Sequence, residues 1–187
     1  NYFSAKIIPA RGVWIEIESD PDGGIYMKVD RKRRVPITSL LRVLGLGTDT
    51  QIAERFKGTA ALGTIAASLT HDSAKNEQEA YAEIYRRLRD GDISTNESAK
   101  AHVSAILSAD RYDLSRVGRF HFNRRFGLPI TESALAASST LSAEDVARII
   151  IHIAELNADP KAESDDIDHL GFRRVRFVGE LLEQRMR

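Results

Sequence analysis

The sequence predicts an α+β fold, an antiparallel β hairpin or sheet at the N-terminus followed by a helical region. Three observations predict it. Residues 12–19, "GVWIEIES", and 24–30, "GIYMKVD", alternate apolar with polar, the period of a strand with one buried face. Between them stands "DPDGG", whose proline, aspartates and glycines suit a hairpin turn. Beyond Pro36 the apolar spacing changes to threes and fours, the period of a helix packed on one side.

Strand parity sorts the first unit into faces. Val13, Ile15 and Ile17 share one side with Ile25, Met27 and Val29; Trp14, Glu16 and Glu18 share the other with Tyr26, Lys28 and Asp30. Pro9 and Pro36 mark strand ends or an edge. In "TSLLRVLGLGTDTQIAERF" Gly45 and Gly47 separate two short helices, and Thr48 caps the second. Residues 58–73 are weakly patterned and read as one loose helix. Tyr81, Ile84, Tyr85 and Leu88 fall at helical spacing, so residues 77–89 form a helix that Gly91 can end. Another helix is expected through 99–108. Residues 131–140, "TESALAASST", carry no period and read as a flexible loop. Ser142 and Asp145 resemble a capping box, Leu141 and Val146 a hydrophobic staple, and Val146, Ile149, Ile150 and Ile153 line one face of the helix that follows. After Pro160 comes an acidic linker, then a C-terminal helix expected to turn Val178, Leu181 and Leu182 inward. The expected division is 1–164, with the sheet in 4–37 and helices in 38–156, followed by 165–187.

Composition narrows the function. The 187 residues, 42% hydrophobic, suffice for one good core or two small ones. The absence of cysteine excludes disulfides, thiolate metal sites and cysteine nucleophiles, and suits a cytoplasmic chain. No apolar run approaches the ~20 residues of a membrane span. The N-terminus has neither an initiator methionine nor a signal pattern, so the chain is expected to be cut from something longer. Lys+Arg and Asp+Glu both number 27, leaving no global field toward nucleic acid. Any such contact must be local. Basic residues do cluster in "KVDRKRR" (28–34), "RVGRFHFNRR" (116–125) and "RRVR" (173–176), against acidic stretches at 72–83 and 163–168.

The densest run is "DDIDHLGFRRVRFVGE", residues 165–180. As a metal site, Asp165, Asp166, Asp168 and His169 would have to converge from one tight loop, with no second ligand cluster elsewhere. A structural ion-pair cluster is the plain alternative. A nucleic-acid reader needs an arginine fork, a carboxylate for a base edge and an aromatic on which a base stacks. Asp168 and Arg173 supply the first two across a glycine, and Trp14, on the face expected to be wet, supplies the third. Trp14 also fits a cross-strand pair with Tyr26 or a second layer over that face. No serine sits in a Gly-x-Ser-x-Gly elbow and no Ser-His-Asp set stands out by spacing. His71, His102, His121 and His152 carry no chemistry that the sequence singles out.

"FSAKIIPARGVWIEIE", "VDRKRRVPITSLLRVLG", "EAYAEIYRRLR", "DRYDLSRVGRFHFNRR" and "DDIDHLGFRRVRFVGE" resemble, in the same order, the lobe region of the β subunit of bacterial DNA-directed RNA polymerase. The resemblance implies a fragment of that transcription enzyme, a nucleotidyltransferase, that is catalytically inert alone and has no catalytic residue, metal or cofactor of its own. The parent polymerase's magnesium belongs to the β′ subunit. It implies a DNA-binding wall of the cleft whose partners are the non-template strand and downstream duplex and the β′, α and sigma subunits; as an alternative, the sequence permits a docking platform for a transcription factor or sigma subunit, near Phe120 and Phe126 or on the hairpin edge. No membrane is implied. By similarity, Trp14 stacks on an unpaired non-template base, while Ile167, Asp168, Leu170 and Arg173 take a flipped guanine. Arg86, Arg89 and Arg119 match basic positions facing DNA. A single extruded nucleotide gripped between Trp14 and the Asp168–Arg173 notch is the expected geometry. "RDGDISTNES" replaces the family's Arg-Pro-Gly-Glu-Pro-Pro-Thr, and Phe172 replaces an asparagine beside the guanine pocket.

Overall fold

The computed structural model describes residues 2–30, 33–89, 95–136, 139–167, 169–170 and 175–186. Four strands, β1 (Ser4–Ile7), β2 (Ile15–Ser19), β3 (Ile25–Val29) and β4 (Val35–Pro36), form an antiparallel sheet in sequence order. The register sets Ile15 opposite Val29 and Ile17 opposite Met27, so the alternating apolar residues meet on one face. All four are buried. The turn is closed as its composition demands. Gly23 N–H donates to the Asp20 carbonyl at 3.0 Å, and Asp22 Oδ1 accepts the Gly24 N–H at 2.8 Å.

Helices then cover the apolar face. These are α1 (Ile37–Val43), α2 (Asp49–Arg55), α3 (Leu62–His71), α4 (Glu77–Leu88), α5 (Asn96–Leu107), α6 (Ser115–Arg125), α7 (Glu132–Ala136), α8 (Ala143–Ala158) and α9 (Val178–Met186). Thr48 caps α2 in a reciprocal box with Gln51, and Ser142 does the same for α8 with Asp145. Each arrangement satisfies end N–H groups that the helix itself leaves free. Leu40 and Leu41 of α1, Ile65 of α3, Ile84 of α4 and Ile149, Ile150 and Ile153 of α8 join the strand residues in one core. A buried polar lock runs through its edge. Arg42, 0% exposed, donates to the carbonyls of Gly47 and Lys75 and pairs with Asp49, while Asp72 accepts from Thr38 and Ser39.

Two expectations need correction. Residues 131–140 are not wholly loop, because Thr131 accepts the Leu135 N–H on its carbonyl and the Ala134 N–H on its hydroxyl, starting α7 against α6. The helix expected in the loosely patterned 58–73 stretch is present as α3, ten residues long, and buries Ile65 and Ser68. Helix α9 forms where expected, but Val178, Leu181 and Leu182 are 72%, 46% and 57% exposed rather than inward. Helical spacing gathers apolar residues into a stripe without saying that a partner covers it. The expected stop at Gly91 lies outside the described residues.

Candidate nucleic-acid interface

Trp14 is placed by its backbone. Its N–H donates to Asp30 Oδ1 at 2.9 Å, and its carbonyl accepts the Asp30 N–H at 2.9 Å. Two residues earlier, Gly12 has φ +120°, and a Cβ there would lie 2.8 Å from the Arg111 carbonyl. Only glycine combines that torsion with that approach. It lets the Arg11–Asp113 bridge form, with Ala10 N–H donating to Asp113 at 2.8 Å. The loop leading to Trp14 is thereby fastened at the N-terminal end of α6.

The face carrying Trp14 is polar, as strand parity requires. Lys6 pairs with Glu16 and Lys28 with Glu18, each at 2.7 Å, between cross-strand neighbours. The carboxylates beside Trp14 are thus neutralised in place. The indole is 39% exposed, and Lys6 Nζ stands 6.0 Å from its ring centre. The cross-strand alternative fails on register, since Tyr26 stands opposite Glu18, at the far end of β2 from Trp14. Tyr26 instead donates to Asp22 Oδ2 at 2.9 Å, lies 3.2 Å from His71 Nδ1 and carries the Arg34 guanidinium over its ring.

The acidic run leaves α8 and is caught by α6. Arg125, the last residue of α6, donates to Asp165 Oδ1 at 2.8 Å. The Asp166 side chain accepts the His169 N–H at 3.1 Å, closing a turn. Ile167 and Leu170 around that turn are 77% and 78% exposed. Asp168, Arg173 and Phe172 lie outside the described residues. Among the described residues no group of three histidine, aspartate or glutamate side chains converges as a metal site.

The remaining expected contacts divide. Arg86 is 63% exposed on its side chain and pairs with Glu83, as Arg87 does. Arg89 is exposed at the C-terminal cap of α4. Both stand where a phosphate can reach them. Arg119 does not. It is 3% exposed, with both terminal nitrogens on Asp145 and one also donating to the Thr140 carbonyl. A basic residue in a basic run is here a core ion pair, so its expected role facing DNA is withdrawn. The expected single-nucleotide grip involves Asp168 and Arg173, which lie outside the described residues. The Trp14 loop hangs on Asp113 before α6, and the acidic run hangs on Arg125 at its other end. Eleven residues of helix, ~16 Å, separate those anchors.

Sequence reasoning missed Arg125 and His152 as the seat of the acidic run. Forty positions separate Arg125 from Asp165, and no local pattern carries such a pairing.

The family model for RNA polymerase Rpb2, domain 2, matches residues 1–176. The chain belongs to that family. It is a lobe domain of the second-largest subunit of RNA polymerase, and its α+β architecture is the one expected for the lobe. The match takes in Trp14, Arg86, Arg89 and the whole run from Asp165 to Arg173. No helix among the described residues is long and apolar enough to cross a membrane.

Proposed function

We propose that this lobe forms a wall of the polymerase DNA cleft and contacts the non-template strand and downstream duplex during transcription. The exposure of Trp14 carries the reading. The chain's only tryptophan stays part in water, immediately before β2 and clasped to Asp30 through its backbone, beside a lysine. An indole so placed offers a base a π face, with a cation near the phosphate. Ile167, Asp168, Leu170 and Arg173 form a second contact, taking a flipped guanine: apolar side chains surround the base while Asp168 accepts hydrogen bonds from its Watson–Crick edge. Arg86 and Arg89 reach the backbone.

In this reading the lobe contributes binding and no bond chemistry. Catalytic magnesium sits on the β′ subunit of a cytoplasmic enzyme whose other partners include α and sigma. The test is Asp168→Ala in assembled polymerase, read as base preference at successive non-template positions. Loss of a guanine preference at one position supports the assignment, and an unchanged preference for all four bases at every position defeats it.

A second reading, a docking platform for a transcription factor or sigma subunit, is favoured by one observation. Phe177, Val178, Leu181 and Leu182 are exposed together at the C-terminal end. The patch near Phe126 is a poorer candidate, because Phe126 and Phe122 stack at 4.7 Å and pack on the core.

A further inference from the structure

We infer that Arg125 is a positioning residue for the base-reading run, holding it through Asp165 against the helical body. The inference rests on the reading of 165–173 given above and adds the residue that sets where that run begins. Arg125 ends α6, and its guanidinium bridges two elements. One nitrogen donates to Asp165 Oδ1 at 2.8 Å, and the other lies 3.2 Å from Nε2 of His152 on α8. A guanidinium has only donors, so His152 must accept on Nε2 and carry its proton on Nδ1. Nδ1 faces Glu155 at 3.8 Å, and the imidazole stands edge-on to Phe126 at 5.7 Å. The arginine is therefore steered from behind by a histidine that is itself oriented by a carboxylate and an aromatic ring.

What Arg125 holds differs from a segment docked for stability. Such a segment buries its apolar residues and leaves its charges in water. Here the hold is a solvent-exposed ion pair at Asp165, and the apolar Ile167 and Leu170, two and five positions on, are left 77% and 78% exposed instead of buried. The turn between them is closed by Asp166 on the His169 N–H. Anchor and turn are consecutive, so displacing Asp165 displaces the apolar pair. The side chains of Arg125 and Asp165 are 43% and 61% exposed. Exposed pairs of this kind shift an equilibrium by roughly two- to fivefold, enough to bias a short run and too little to weld it.

The experiment uses assembled polymerase with Arg125→Ala, Arg125→Lys, the exchanged pair Arg125→Asp with Asp165→Arg, and Asp168→Ala. Two quantities are read: backbone hydrogen exchange over 161–176, and guanine preference on the non-template strand. Arg125→Ala is expected to raise exchange and cut the preference, each roughly two- to fivefold. Arg125→Lys and the exchanged pair recover most of both, and raising salt narrows the gap between wild type and Arg125→Ala. Unchanged exchange in Arg125→Ala overturns the inference. If Asp168→Ala abolishes the preference and Arg125→Ala leaves it whole, positioning fails and base reading stands. If Asp168→Ala changes nothing, base reading fails and takes the positioning role with it.

Discussion

Arg119 and Asp145 meet in a two-pronged ion pair between α6 and α8, NH1 to Oδ1 at 2.9 Å and NH2 to Oδ2 at 3.0 Å. Their side chains are 4% and 8% exposed. The same carboxylate accepts the Ser142 N–H at 3.0 Å as part of the α8 capping box. One aspartate thus closes the start of α8 and holds α6 against it.

Arg119→Ala leaves that aspartate buried without its cation. The expected loss is ~3–5 kcal/mol of folding stability, the cost of stranding a buried charge. It is read as a lower urea midpoint for the 187-residue chain with the slope unchanged. In assembled polymerase the salt dependence of DNA binding should keep its wild-type slope. A shallower slope would mean that Arg119 neutralises a phosphate after all.

The turn between β2 and β3 should make stability sensitive to pH at both extremes. The Gly24 N–H, and after it the Tyr26 hydroxyl and His71, hold Asp22 below its ordinary value of 3.8 against a smaller opposing effect of burial. A carboxylate depressed on folding stabilises above its unfolded pKa, and that contribution is lost as pH falls through the folded one. Tyr26 moves the other way: burial first, then the Asp22 hydrogen bond and charge, push its phenol from 10.0 to about 12. Its contribution is complete below pH ~10 and disappears as pH rises toward ~12. Asp22→Asn should flatten the acid side and lower the Tyr26 midpoint, measured by ultraviolet titration of the phenolate. An unmoved midpoint would show that burial alone sets it.

Where physics is local, the sequence could be read. Ile15, Ile17, Ile25, Met27 and Val29 alternate because a strand alternates, and they are the core. Thr48 and Ser142 cap their helices because hydroxyl and amide stand three residues apart. Strand parity also left Trp14 part in water. Helix α6 was hidden because its buried residues include Arg119 and Asn123, polar side chains satisfied by distant partners. Arg119 and Arg125 look alike in "RVGRFHFNRR", yet one is sealed on Asp145 and the other reaches Asp165. Charge patterning cannot separate them, because the sorting is done by what lies opposite.

The C-terminal helix offers a simple check on exposure. Leu182 is 57% exposed on α9, so Leu182→Ser should alter the stability of the 187-residue chain by no more than ~0.5 kcal/mol. Burial against the body would cost several times that. A drop of ~2 kcal/mol or more in chemical denaturation would place the helix against the fold.

Trp14→Ala separates stacking from scaffolding. The clasp with Asp30 uses the Trp14 backbone N–H and carbonyl, which alanine retains, so the hairpin should keep its register. What disappears is an indole 39% exposed on a face whose neighbouring charges are already paired. If a non-template base stacks there, its loss weakens the opened DNA by ~1–3 kcal/mol. In assembled polymerase that appears as an open-complex lifetime shortened roughly five- to 150-fold, since ~1.4 kcal/mol is tenfold. Trp14→Phe, with a smaller ring, should fall between. Lys6→Ala should change the salt dependence more than the lifetime at low salt, because a lysine acts on phosphate through a screened charge and a stacked base does not. Lifetimes matching wild type for both Trp14 variants would leave the indole without a base.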